Sequence, residues 1–525
     1  MYVNITGSKQ NKDVYIYQSF RKPNGKTSTR IYKKLGKYND LIKKFNGNAD
    51  ALISWAKQEA EKETSLFKRN QGNISISFPQ TELISFGEHR HINCGCLFLK
   101  SILTDLKIHE ICNNIQQNLN SNVNYFNVLC YFVYLKIFST SSNCSSQDIQ
   151  LSFLGIPSYS SNDLNNALSH LANNLDSLKK QIYKNIKTYC ENKNQRLYYD
   201  RSKFKISGFS HSSENSEIYH KQQHYMSEIY LNSDSIPLTF DVLPENEASH
   251  SSISALESSI LKDYSNTKFF FCSNSELEST IKRFVNQSDK HNNRHYLVAI
   301  SANSDNIFKE YVYPHIEKSE YLSRAIGFTP LNIDKNTYSL YTQVFYKNIS
   351  NSPDTKDIKI LVYYPKNNYN YNTGEIRAED FYVVATNSDD KIERIVQTAI
   401  NQIDMRAFFT TVEDTFIAKA SLLDEDVFMK AHFLISYLSL LTTRVLYNKI
   451  QNRSNNISYR EIIRTIGNMQ LLKLYENNGY MPSYTRTSTT DRLHEIFGFR
   501  TDYKYISELS LNGIISKSGT PTSTV

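Results

Sequence analysis

RLYYDRSKFKISGF, residues 196–209, decides how this chain is read. Aromatic and aliphatic residues interleave with charged ones, which marks a strand, and Asp200 falls near its middle. Upstream, Leu97, Leu99, Ile102, Leu103, Leu106, Ile108 and Ile111 recur at helical spacing and predict a helix followed by a turn. Further helices over 125–138, 161–175 and 178–191 make 91–194 a helical region. Downstream come two short strands, 228–231 and 238–243, a helix over 252–261 and an apolar strand over 268–272. Strands followed by a helix and another strand predict an α/β core.

Further out the pattern changes twice. Residues 295–390 are mainly β, with YLVAIS, LYTQVFYKN, IKILVYYP and FYVVAT as the clearest runs. Helical spacing resumes near Lys391 and lasts to about Tyr475. Towards the N-terminus, strands over 14–20 and 28–33 flank RKPNGK, where Asn24-Gly25 is a hairpin turn. A helix is expected over 50–63 and loop over 64–90. The hairpin and its exit carry Arg21, Lys22, Lys26, Arg30, Lys33, Lys34 and Lys37. A basic β-ribbon can lie on DNA; a solvated hairpin with surface lysines has the same composition. The expected organisation is a basic hairpin and helix module (1–75), the helical region (91–194), a first core segment (195–290) and a β-rich segment (291–390). A second, helical core segment (391–475), a C-terminal segment (476–510) and a tail without fixed structure (511–525) follow.

Composition narrows the function classes. The 525 residues carry a net charge of +8, with 40% hydrophobic residues and a mean hydropathy of −0.50. That describes a globular chain of roughly two to four domains and permits a polyanionic partner. The seven cysteines are scattered and lack zinc-finger spacing, so they are expected as reduced thiols. The most apolar stretch, about 427–447, contains Lys430, His432 and Arg444 and is expected as a buried helix, not a membrane span. The N-terminus, 1–8, is short and polar, which predicts a cytoplasmic protein without a signal peptide. His494-Glu495 lacks the second histidine of a zinc-protease motif, and no phosphate-binding G-x-x-x-x-G-K-[ST] occurs, so no nucleotide is expected.

Several segments, in order, resemble the DDE-class insertion-sequence transposases, in the group whose catalytic core is interrupted by a β-rich insertion. LYYDRSKF (197–204) resembles the strand bearing the first catalytic aspartate. SDSIPLTFDVLPEN (233–246) resembles the hairpin that usually reads G-I-P-L and P-G-N, with Glu245 in place of the second glycine. FFFCSNSEL (269–277) resembles the strand ending D-A-G-L, and DFYVVATN (380–387) the strand that leaves the insertion. Residues 418–447 resemble A-R-P-V-Y…D-R-I-x-A-H-F and the apolar helix after it, and GYMPSYTRTSTTDRLHEIFGFRTDY (479–503) resembles the C-terminal signature.

That resemblance implies an RNase H-like α/β core interrupted by a β-rich insertion and preceded by the basic hairpin and the helical region. It implies DNA transposition: binding of double-stranded transposon ends, strand cleavage and joining, in a bacterial protein that is nucleoid-associated when bound and works as a homodimer. Three carboxylates would hold two Mg2+ ions. On this sequence the first position is Asp200, the second falls on Asn274 and the third, counted back without gaps from Ala418, on Arg406. Glu276, Glu278, Asp404 and Glu413 are the carboxylates available as substitutes. With an amide and a guanidinium at two of three positions, the resemblance implies a transposase impaired in catalysis. The alternative is a domesticated or decayed DNA-binding or interaction protein with no nuclease activity.

Overall fold

The computed structural model describes residues 1–8, 11–21, 27–71, 81, 83, 85–119, 121–139, 152–190, 196–211, 218–244, 255–273, 294–300, 329–331, 341–349, 358–365, 382–410, 416, 420, 422–452, 457–474 and 479–521. The chain is mixed α/β and divides into two compact units, Met1–Ile84 and Ser85–Val525. Among the described residues no helix is long and apolar enough to cross a membrane.

In the first unit, strands β1 (Tyr2–Ser8), β2 (Asn11–Arg21) and β3 (Thr27–Lys37) form an antiparallel sheet in that order. Helices α1 (Tyr38–Lys44) and α2 (Ala49–Gln71) follow. Val14 and Ile16 alternate onto one face of β2 and are fully buried. Val14 packs with Leu41, Leu52 and Ala56, and Val3, Ile5 and Leu35 close the edges. The expected hairpin therefore gains a third strand from the stretch expected as a polar terminus. Its signal is the alternation of Val3 and Ile5, which only pairing with β2 makes into a strand. Helix α2 also runs past 63 to Gln71, into the expected loop, because neither Gly nor Pro interrupts it before Gly72. The turn at Asn24-Gly25 lies outside the described residues.

Among the described residues the second unit is built on a nine-stranded sheet. Strands β6 (Arg196–His211), β7 (Ile218–Asn232) and β8 (Pro237–Pro244) form an antiparallel meander. Strands β9 (Lys268–Ser273) and β10 (Arg294–Ile300) add in parallel on the other side of β6. Beyond β10 the sheet turns antiparallel through β14 (Tyr382–Thr386), β13 (Ile358–Pro365), β12 (Tyr341–Ile349) and β11 (Thr329–Leu331). The order is thus β11-β12-β13-β14-β10-β9-β6-β7-β8. The described strands of the β-rich segment continue the core sheet, and β10 belongs to its parallel part.

Helices make up most of the other described residues. They are α3 (Cys96–Asp105), α4 (Ile108–Asn118), α5 (Tyr125–Ser139), α6 (Ser161–Asn173) and α7 (Leu175–Tyr189) upstream, and α8 (Ala255–Asp263) between β8 and β9. Downstream come α9 (Ile392–Thr410), α10 (Glu425–Gln451), α11 (Tyr459–Asn468), α12 (Ser488–Phe497) and α13 (Glu508–Ser518). The long α10 is the buried helix expected over 427–447; every residue from Ala431 to Leu446 is buried on it. The Tyr437 hydroxyl donates to the Leu238 carbonyl at 3.1 Å, which fixes α10 to β8.

Two further expectations need correction. The 91–194 region also contains short strands, β4 (His91–Asn93) and β5 (Ser152–Phe153), which join β15 (Gln470–Lys473) and β16 (Tyr480–Pro482) in a second sheet. Strands of two or three residues are too short to show a period. The tail expected from 511 is helical as far as Ser518, because Leu511 and Ile514 share one buried helical face and Ser507 caps the start through the Ser510 N–H. Gly479 opens β16 with φ +90°, and a Cβ there would sit 2.6 Å from the Ile506 carbonyl oxygen. Gly479→Ala should therefore cost about 2–4 kcal/mol. Urea denaturation reads this directly, and a loss below about 0.5 kcal/mol would mean that the segment shifts freely.

Candidate functional site

Asp200 lies on β6, an interior strand of the nine-stranded sheet between β7 and β9. Strand alternation puts Tyr198, Asp200 and Ser202 on one face, and Asp200 pairs with Ile229 of β7 and Cys272 of β9. Its side chain is fully buried. Helix α9 packs near this face and delivers Arg406, whose Nη2 donates to Asp200 Oδ2 at 2.7 Å. The Ser202 hydroxyl donates to the other carboxylate oxygen. Burial opposes the Arg406 charge, but Asp200 and the nearby Tyr382 outweigh it and hold the guanidinium above its ordinary value. Burial, with Asp200 adding to it, pushes the Cys272 thiol far up, so that neighbour stays neutral. The centre is an internal ion pair within an apolar sandwich.

Asn274, expected at the second position, and the substitute carboxylates Glu276, Glu278 and Glu413 lie outside the described residues. Asp404 lies on α9 two residues before Arg406, and its side chain lies outside the described residues. Gln402, also on α9, is buried, and its Oε1 has no hydrogen-bond partner among the described residues.

The described residues do not fit a magnesium pair. Two divalent cations need several anionic oxygens facing shared space. Here the buried carboxylate already has one oxygen on a guanidinium and the other on a hydroxyl. A cation at Asp200 would first have to displace Arg406, and the two positive charges would repel each other.

Among the described residues, Asp491, His494 and Asp502 lie close enough to share a cation, with ligand atoms within 4.8 Å of one another. Their chemistry argues for a structural network. Arg500 bonds Asp491 at 2.5 Å and Asp502 at 2.6 Å, and Arg486 bonds Asp491 at 2.8 Å. Those two arginines hold the Asp491 carboxyl at about 2. The Thr501 backbone N–H donates to His494 Nε2 at 3.1 Å, which leaves the ring proton on Nδ1, the atom facing Asp502. A protonated Nδ1 cannot bind metal. Arg492 likewise pairs with Glu495, so these three arginines engage acids of their own segment.

The basic ribbon is partly engaged as well. Lys33 bonds Glu63 at 2.5 Å, Lys34 bonds Asp13 at 2.8 Å, and Arg30 donates to the Gln18 amide oxygen at 3.0 Å. Lys33 and Lys34 still expose 48% of their side chains, and Lys37 is exposed at the end of β3. Lys22, Lys26 and the Arg21 side chain lie outside the described residues. Sequence reasoning missed how charge is divided between the units. Met1–Ile84 holds fifteen Lys and Arg against seven Asp and Glu, a net charge of +8 that equals that of the whole chain. The larger unit is balanced.

No family model and no curated protein matches this chain. Among solved structures, an Argonaute from Marinitoga piezophila, crystallised with a 5′-OH guide RNA and target DNA, is similar over 81% of this chain and 71% of its own at 11% identity. Its TM-score is 0.18, too low for the two folds to be matched element by element or for anything to transfer between them.

Proposed function

We propose that the chain is a nucleic-acid-binding protein of DDE transposase descent, with an RNase H-like core whose strand-cleavage centre is closed by the Asp200–Arg406 ion pair. The observation that carries the reading is the pair itself. Gapless counting along the sequence puts Arg406 at the third carboxylate position, and the guanidinium lies on the carboxylate of the first, from which counting could not have placed it. The strand order around β6 supports it: an antiparallel meander on one side, two parallel strands on the other and the aspartate on the central strand, as expected of an RNase H-like core. The strands from β11 to β14 then correspond to the β-rich insertion. The excess positive charge of Met1–Ile84 supports binding of transposon-end DNA, and a homodimer holding two ends goes with the same reading.

A Mg2+- or Mn2+-dependent nicking assay on the element's terminal repeats tests the catalytic part. The wild-type chain should leave them intact. Cleavage that disappears with Asp200→Ala would overturn the reading. Duplex binding is tested separately: affinity should fall steeply with salt as counterions are released. No binding at low salt would favour an interaction protein that has lost DNA.

A further inference from the structure

The sheet of Met1–Ile84 has two unlike faces. The face with Val14, Ile16, Val3 and Ile5 packs with α1 and α2. Register puts Tyr2, Tyr15, Tyr17 and Ile31 on the other: Tyr2 is opposite Tyr17, Asn4 opposite Tyr15, and Tyr17 opposite Ile31. Tyr2 is 43% exposed and Ile31 54%, while Tyr15 and Tyr17 are half-buried. The rings form a continuous group. Tyr2 stacks on Tyr17 with centroids 5.8 Å apart, and Tyr15 meets Tyr17 edge-on at 6.2 Å. Lys34 lies over the Tyr15 ring, with Nζ 5.7 Å from its centroid.

An exposed apolar face on one small sheet usually invites a partner. The chemistry of this one selects which. Three aromatic rings sit on an open β-surface, in a unit that carries a net charge of +8. A polyanion whose bases present free π-faces matches both features, and a duplex, with its bases already stacked, matches only the charge. We infer that the open face of the β1-β2-β3 sheet binds single-stranded nucleic acid, with bases stacked on Tyr2, Tyr15 and Tyr17 and phosphates held by Lys34 and Lys37, which register puts on the same face. The inference concerns the same unit as the proposed duplex contact but does not depend on transposase descent or on the Asp200 centre.

The test is fluorescence anisotropy of the full chain with a labelled oligothymidylate of about 15 nucleotides and, in parallel, a duplex of equal length. The single strand should bind, and Tyr2→Ala with Tyr17→Ala should weaken it about ten-fold or more while duplex affinity changes less than about two-fold. Tyr17→Phe keeps the ring and should keep the affinity. Far-UV circular dichroism checks that the variants fold. Should the alanine variants fail to fold, photocrosslinking of a 5-bromouracil oligonucleotide to the wild-type chain decides instead, with adducts expected in peptides covering Tyr2 to Tyr17. Adducts confined to the larger unit would overturn the inference. Duplex binding without single-strand binding, or single-strand affinity indifferent to the tyrosines in folded variants, would overturn it and leave the proposed function standing. Failure of both nucleic acids to bind would overturn both.

Discussion

Arg406→Met should destabilise the larger unit by about 3–5 kcal/mol, and Asp200→Asn should cost a similar amount. Each leaves one partner of a buried ion pair without its counter-charge. Asp200 is fully buried, and the Arg406 side chain is only 14% exposed, so water cannot replace the lost partner. The double variant Asp200→Leu/Arg406→Met should lie within about 1–2 kcal/mol of wild type or above it, because it removes both desolvation costs along with the attraction. Ser202 would lose one acceptor in that variant, a smaller cost of about 1 kcal/mol. A double-mutant cycle in urea, read by circular dichroism, separates the pair energy from the packing changes. Single variants that cost no more than the double would show that the contact is incidental. The same cycle bears on the proposed function, under which Arg406→Met costs stability without creating cleavage.

Acid should weaken the protein well above the pH at which carboxylates titrate. His432 is buried on α10 with Nε2 3.3 Å from the Phe409 carbonyl oxygen. Burial, helped by nearby Lys136, lowers its pKa from 6.5 to about 3. His494 is lowered to about 4, again chiefly by burial. Both folded values lie below that of an exposed imidazole, so between them the unfolded chain takes up the proton first. Stability is therefore full above about pH 6.5 and falls as pH drops, by up to about 1.4 kcal/mol per unit for each histidine. By pH 4 the loss should be on the order of 5 kcal/mol. Urea midpoints measured between about pH 7.5 and 4.5 test this, and His432→Gln should remove roughly half of the slope. A flat profile over that window would mean that neither imidazole is desolvated as described.

Much of the architecture was legible because it is local. Residues 125–138 read as a helix and form one over Tyr125–Ser139; 268–272 read as a strand and form one over Lys268–Ser273. Apolar spacing carries that information within a dozen residues. The thiols were legible from their scatter. All six described cysteines are free, and burial pushes Cys94 up to about 12 and Cys190 up to about 11. The centre was half legible: Asp200 is visible as a charge inside a strand, and Arg406 follows only from counting against a resemblance.

By itself the sequence determined the periods, the turn residues, the totals of charge and the identities of Asp200 and Arg406, since these depend on neighbours along the chain. Tertiary structure decided which distant segments meet. Asp200 and Arg406 are separated by 206 residues, and only the docking of α9 beside β6 makes them an ion pair. The second sheet joins His91–Asn93 to Gln470–Lys473, pairing that no local period announces. Lys33 and Lys34 read as two free charges; folding turns one to Glu63 and the other to Asp13, because successive strand residues face opposite sides of the sheet. The same alternation gathers Tyr2, Tyr15 and Tyr17 on one face, and it becomes a surface only when β1 pairs with β2.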